Sequence, residues 1–228
     1  MSGCGSEFPL GKGWVLLGVR IPSHRVCLWC GKMNADRIFS LLSFSSAMSA
    51  LRAYRPNYTV ADYQQWEGSW ELWDGTPVAM APSPFGHHAA LIVRLTAQLS
   101  NQIEAHRCEA EVLCEIDWIV SDRTVVRPDV LVSCDGIPPR HVETAPTTVA
   151  EVLSDSTRAR DLRFKRDLYR AEGVTTYLAL EPADATLTCF GGEIDVDWNG
   201  KAISGSLRID ICENSTVDID TVKLFRGL

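Results

Sequence analysis

The sequence predicts an α/β domain: a mixed central sheet flanked by helices, with a hairpin at the N-terminal end and another at the C-terminal end. Three observations carry that prediction. Leu91, Leu95, Leu99 and Ile103 recur every four residues, the spacing of one buried face of a long helix. Val130-Leu131-Val132 and Thr148-Val149-Ala150-Glu151-Val152-Leu153 are apolar runs without a polar face, as strands covered on both sides are. The order of signals is hairpin, long helix, several strands, helix, strand, hairpin, which suits helices laid against a mixed sheet.

The elements follow in order. Thr59 is placed to cap a short helix over Val60-Ala61-Asp62-Tyr63, with Asp62 in its first turn. Asp74-Gly75 between two apolar runs predicts a hairpin from Trp70 to Met80. Pro82-Ser83-Pro84 breaks the chain, and a helix runs from His88 to about Glu104. Residues 111–120 alternate as one strand, with Val112, Cys114, Ile116 and Trp118 on one side. Strands follow at Val130 and Thr148. A helix starts at Ser156 or Thr157 and stops at Gly173. Val174–Leu180 is a strand, Ala185–Phe190 pairs back on it, and a weaker alternation runs from Leu207 to Ile211 and from Ile219 to Phe225.

Residues 1–47 differ from the rest. They carry a charge of +3, against -10 for the remainder, and show no sustained period. Met48-Ser49-Ala50-Leu51 reads like an ordinary start. The expected division is an unstructured or non-native extension over 1–47 and one folded domain over 48–228. Cys27 and Cys30 form a lone two-residue-gap pair, and two cysteines cannot close a tetrahedral zinc site. The other six cysteines lie among apolar residues, like small hydrophobes in a reducing compartment.

The 228 residues, 46% of them hydrophobic and 22% charged, exclude a disordered, collagen-like or multi-span membrane protein. The net charge of -7 argues against simple electrostatic binding to nucleic acid. Contact with DNA then needs a local basic patch or a metal.

Two carboxylates occupy positions where apolar residues belong. Asp129 leads into the Val130 strand, and Glu151 lies inside the Thr148 strand. Buried carboxylates need partners. Arg127 and Arg158 are candidate partners; a shared divalent cation is the other answer. In the following helix Asp161, Lys165 and Tyr169 recur every four residues on one face. Lys165 then either reaches back toward Glu151 or pairs with Asp161 in solvent.

These residues resemble the core of the PD-(D/E)XK nucleases, and more specifically the Uma-type restriction endonuclease family. The matching stretches are Tyr58–Tyr63, Glu71–Gly75, Pro82-Ser83-Pro84 with His88, Arg127-Pro128-Asp129-Val130, Glu151–Thr157, the Asp161/Lys165/Tyr169 series and Gly173-Val174 before Tyr177. They stand in family order from Tyr58 to Pro182. In the general nuclease motif a lysine follows the acid by two residues; here that position is Leu153, and the resemblance assigns the lysine to Lys165 instead.

The resemblance implies a restriction-endonuclease-like fold and a cytoplasmic, Mg²⁺-dependent endonuclease acting on DNA, with Mn²⁺ able to substitute and a homodimer compatible with it. It implies that Asp129 and Glu151 hold the metal with the Val152 carbonyl, and that Glu71 joins as a further carboxylate, directly or through water. Lys165 orients the attacking water or the developing phosphorane charge. Tyr169 packs against the lysine stem. Asp161 and His88 stand as supporting residues, and His87 competes with His88. Arg158, Arg160, Arg163 and Arg166 form the candidate DNA-contacting patch. The rival readings are a catalytically silent nucleic-acid-binding or regulatory protein on the same scaffold, and a redox or zinc protein built on Cys27 and Cys30.

Overall fold

Helix α1 (Val60–Tyr63) is held by the capping signal seen in the sequence: the Thr59 hydroxyl accepts from the Asp62 N–H, and the Asp62 carboxylate accepts from the Thr59 N–H. The structure, a computed structural model, describes residues 56–80, 86–192, 198–212 and 215–228. The expected extension, the Cys27/Cys30 pair and the Pro82-Ser83-Pro84 break lie outside the described residues. Strands β1 (Trp70–Trp73) and β2 (Thr76–Ala79) form the expected hairpin. Asp74 and Gly75 both have positive φ, 44° and 77°, as a tight primed turn requires. A Cβ at Gly75 would meet the Arg123 guanidinium at 2.7 Å and the Asn57 backbone at 3.1 Å, so this turn needs glycine.

Helix α2 (Gly86–Ala105) buries the four residues that signalled it: Leu91, Leu95, Leu99 and Ile103. Each such side chain contributes about 2 kcal/mol by leaving water. The single strand expected over 111–120 is instead two, β3 (Glu111–Cys114) and β4 (Trp118–Ser121). Glu115 between them has φ 51°, which breaks the extended chain and sends β4 into another sheet. Next come β5 (Thr124–Val126), β6 (Val130–Ser133) and β7 (Thr148–Val152), the last two buried at every position.

The helix expected after Ser156 is α3 (Arg158–Arg160), a π-helical stretch (Asp161–Lys165) and α4 (Arg166–Ala171) in succession. It ends as Gly173 predicts. Gly173 has φ 84°, and the N–H groups of Gly173 and Val174 return to the carbonyls of Arg170 and Tyr169. Then follow β8 (Thr176–Glu181), β9 (Thr186–Gly191), β10 (Lys201–Ile203), β11 (Ser206–Asp210) and β12 (Thr216–Asp220). The segment from Ile219 to Phe225 does not continue as a strand. Asp220 caps a final short helix α5 (Thr221–Leu224), accepting from the Lys223 N–H.

The central sheet is mixed, with order β10-β9-β8-β7-β6-β3 and one parallel pair, β7 with β8. The helical segment between those two strands makes the crossover that a parallel pair needs. The N-terminal hairpin belongs to a second sheet, β2-β1-β5-β4, and β11 pairs with β12 alone. One face of the central sheet is aliphatic. There α2 and the β11–β12 pair cover Val130, Val132, Ala150, Val152, Leu178 and Leu180. The other face is aromatic, with Trp118, Tyr169, Tyr177 and Phe190 over Leu131 and Val149.

Cysteine pairing departs from the sequence reading. Cys134, just after β6, is disulfide-bonded to Cys212, just after β11, at a sequence separation of 78. Of the other cysteines described, Cys189 is buried, Cys108 partly so, and Cys114 exposed. Residues so far apart in sequence give no spacing signal; strand packing alone brings them together. Among the described residues no helix is long and apolar enough to cross a membrane.

Candidate active site

The β6–β7 register places the acids. Val130 pairs with Ala150, so Asp129 stands one step before that pair, opposite Glu151. Alternation along β7 sends Ala150 and Val152 into the aliphatic core, whereas Glu151 turns toward the aromatic face. There a cavity of about 690 Å³ opens at the ends of β7 and β8. Its wall includes Glu71 and Trp73 from β1, His87 and His88 from the start of α2, and Arg160, Asp161 and Lys165 from the helical segment.

Lys165 is the centre of this cluster. Its ammonium lies 2.9 Å from Glu71 Oε1, 3.0 Å from Glu151 Oε1 and 3.9 Å from Asp161 Oδ1. All four side chains are nearly inaccessible, with relative exposures of 3–5%. The solvated Asp161–Lys165 pair that the helix spacing allowed is therefore corrected: the π-helical stretch buries both against the strands. Such widened turns occur most often at functional sites.

The remaining contacts fix each carboxylate. Glu71 Oε1 also accepts from the Arg127 N–H at 2.8 Å, and Oε2 from the Trp73 indole at 3.1 Å. Glu151 Oε1 accepts from the Tyr169 hydroxyl at 2.5 Å. Tyr169 thus does more than pack beside the lysine. Its ring lies between Trp118 and Tyr177, and its hydroxyl orients Glu151. Asp129 Oδ2 accepts from the Val152 N–H at 2.7 Å and lies 3.3 Å from His88 Nε2.

The electrostatics follow from burial. Desolvation raises the Glu151 pKa well above the ordinary value; Lys165 opposes this, while Asp129, Asp161 and Glu71 add to it. Burial raises Asp161 as well. Burial alone would pull the Lys165 ammonium down, but Glu151, Glu71 and Asp161 outweigh it and hold the group charged. For His88 the lowering by burial is outweighed by its hydrogen bond to Asp129 and the charge there, so its pKa rises.

The structure thus brings together Glu71, Asp129, Glu151, Val152, Asp161, Lys165 and His88 on one cavity wall, with Tyr169 behind them. His87 lines the same cavity. The arginine patch is not brought together as a unit. Arg160 lines the cavity, Arg158 pairs with Glu181, Arg166 pairs with Asp167, and Arg163 is exposed outside the cavity. Neither candidate arginine partner meets Asp129 or Glu151. Arg127 instead pairs with Asp117, Nε to Oδ1 at 2.7 Å. Sequence reasoning missed Tyr63 and Asp117, which are 54 residues apart and 2.9 Å apart in the fold, and Trp73, whose indole bonds Glu71 along the same hairpin strand.

Among the described residues no three His, Cys, Asp or Glu side chains form a ready-made metal cage. The donor chemistry nevertheless fits a hard divalent cation. Asp129, Glu151 and the Val152 carbonyl are oxygen donors, and Mg²⁺ takes one or two carboxylates and fills its remaining positions with water and substrate phosphate. Four carboxylates, Glu71, Asp129, Glu151 and Asp161, also outnumber the one ammonium among them.

Comparison with known proteins bears on the fold and the family. The chain is 29% identical over 183 residues to "Uncharacterized protein slr1290" of Synechocystis sp. (strain ATCC 27184 / PCC 6803 / Kazusa), covering 76% of this chain and 94% of that one. Its fold is similar to the crystal structure of "a putative nuclease belonging to DUF820" from Anabaena variabilis ATCC 29413, with a TM-score of 0.59 and 14% identity, over 73% of this chain and 97% of that one. That likeness bears out the restriction-endonuclease-like fold. Residues 60–215 match the family Uma2, described as "Putative restriction endonuclease", and the chain belongs to that family.

Proposed function

We propose that this chain is a Mg²⁺-dependent endonuclease that hydrolyses phosphodiester bonds of DNA. The observation that supports it is the excess of buried carboxylates around Lys165 at a cavity wall, which burial without a cation makes costly. Asp129 and Glu151 would hold the metal with the Val152 carbonyl, and Mn²⁺ would substitute. When bound, the metal polarises the scissile phosphate and lowers the pKa of an adjacent water. The chain does the rest. Lys165 and Tyr169 both donate to Glu151 Oε1, which fixes that carboxylate's plane. The Val152 N–H fixes Asp129 in the same way. Glu71, whose two oxygens accept from three donors, acts by anchoring Lys165.

The test is nicking of supercoiled plasmid in Mg²⁺, in Mn²⁺ and in EDTA, with Asp129→Ala and Glu151→Gln beside the natural chain. Cleavage by the natural chain that needs metal and falls about a thousandfold or more in both variants is the expected result. DNA binding without cleavage in either metal would overturn it in favour of a silent binding protein.

A further inference from the structure

The inference concerns which side chain meets the substrate phosphate, and it rests on the endonuclease reading above. The resemblance assigns Lys165 to that charge, but its ammonium is buried, lies 2.9 Å from Glu71 and 3.0 Å from Glu151, and has Asp161 at 3.9 Å. A buried lysine that already neutralises three carboxylates is poorly placed to take a further anion. The cavity wall offers two arginines. Arg160 is half-buried, and its one described side-chain bond is to the Ala79 carbonyl at 3.5 Å, the outer limit of a hydrogen bond, which holds its guanidinium only loosely.

Arg127 is built differently. Its Nε donates to Asp117 Oδ1 at 2.7 Å, and its Nη2 reaches the Tyr63 hydroxyl at 3.4 Å. Tyr63 in turn donates to Asp117 Oδ2 at 2.9 Å and lies 3.0 Å from the Trp70 carbonyl. These contacts hold one edge of the guanidinium through Nε and Nη2, and the side chain lines the cavity. The same residue's main-chain N–H holds Glu71, and Asp129 follows two residues later. The cation is therefore rigidly placed beside the acids while 24% of its side chain stays accessible.

We infer that Arg127 is the phosphate-binding cation of this site, with Asp117 and Tyr63 as its positioning residues. An arginine suits this role, because its planar fork can serve a carboxylate on one edge and a phosphate oxygen on the other. Lys165 is then reserved for organising the carboxylates.

The test uses the full chain with a fluorescein-labelled 20-mer duplex, bound in EDTA over a range of salt, and plasmid cleavage in Mg²⁺. Arg127→Lys keeps a positive charge on Asp117 and should fold, as its melting temperature will show, but it loses the second edge. Affinity for the 20-mer should fall about tenfold or more, the loss of one charged hydrogen bond. The slope of log affinity against log salt should shrink by about 0.9, one phosphate contact. Arg127→Gln should do the same and raise KM; should it fail to fold because Asp117 is left unpaired, Arg127→Lys decides alone. Lys223→Gln, exposed on α5 and outside the cavity, should change neither slope nor KM. Unchanged affinity and salt slope in Arg127→Lys, with cleavage by the natural chain intact, would overturn the inference and leave the endonuclease reading standing. A natural chain that neither binds nor cleaves DNA would remove both.

Discussion

Strand β7 serves two different interiors within one residue's step. Ala150 and Val152 join an aliphatic core under α2 and the β11–β12 pair, where the buried side chains ask nothing of their neighbours but shape. Glu151, between them, enters a face that holds Trp118, Tyr169, Tyr177 and a lysine ringed by acids. Both interiors keep the side chains named here almost wholly out of water. On the aliphatic face that exclusion is a gain, on the order of 25 cal/mol per Å² of apolar surface. On the charged face it is a cost, offset only while the partners remain in place. Stability on the first face should be indifferent to pH and ions, and on the second should depend on both.

The sharpest way to break that contrast is Lys165→Ala set beside Leu178→Ala. Removing the lysine leaves Glu71, Glu151 and Asp161 without their cation, a loss of about 3–5 kcal/mol at pH 8. The loss should shrink at pH 5, where a buried carboxyl can take up a proton instead. Removing Leu178, fully buried on the aliphatic face, should cost about 2–5 kcal/mol at both pH values. Urea unfolding at the two pH values checks this. Equal pH dependence in the two variants would mean that the faces do not differ as argued. Lys165→Arg should lose cleavage as well, because a planar guanidinium does not fit the point where three carboxylates meet a compact ammonium.

The aliphatic side has its own long-range tie. The Cys134–Cys212 bond closes a 78-residue loop between β6 and the end of β11. On a chain-entropy account a loop of that length is worth about 4.5 kcal/mol. Melting with and without dithiothreitol should show that loss, and Cys134→Ser should show it without reductant. A melting temperature indifferent to both would mean that the hairpin is held by packing and by the Gln98 and Gln102 side chains on α2, which bond the β12 backbone at Asp218 and Asp220.

How much of this was legible depends on distance along the chain. The four-residue beat of Leu91 to Ile103, the Thr59 cap and the Asp74-Gly75 turn are local, and each appears where it was read. The acids were legible because a carboxylate in an apolar run contradicts its surroundings. Lys165 and Tyr169 were legible as a face, although not as a buried one, because helical spacing says which residues align and not what covers them. What could not be read needs the fold itself. The Glu115 break depends on a positive φ that glutamate rarely takes. The disulfide and the Tyr63–Asp117–Arg127 network join residues that no spacing relates. For the same reason Arg127 stands in the sequence only as a candidate partner of the acids, when in the fold it pairs with Asp117.

The smallest expected effect isolates the charged face by titration. Glu151 has a folded-state pKa raised above its ordinary 4.5, so the folded chain keeps a proton that the unfolded chain releases. Stability then falls as pH rises from 4.5 toward the raised value, because the folded state binds more protons across that window. Asp161 acts in the same direction from 3.8 upward. His88, raised above 6.5 by Asp129, contributes stability that is complete below 6.5 and is lost as pH climbs through its folded value. The metal-free chain in EDTA should therefore lose stability steadily from pH 5 to pH 8. Glu151→Gln keeps an oxygen for Lys165 and Tyr169 but has nothing to titrate. It should flatten the fall that begins at 4.5 and leave in place the His88 part that begins at 6.5. His88→Gln should do the reverse. Chemical denaturation across the pH range reads both, and a Glu151→Gln profile that parallels the natural one below pH 6.5 would mean that Glu151 is already ionised in the fold, its burial offset by Lys165 alone.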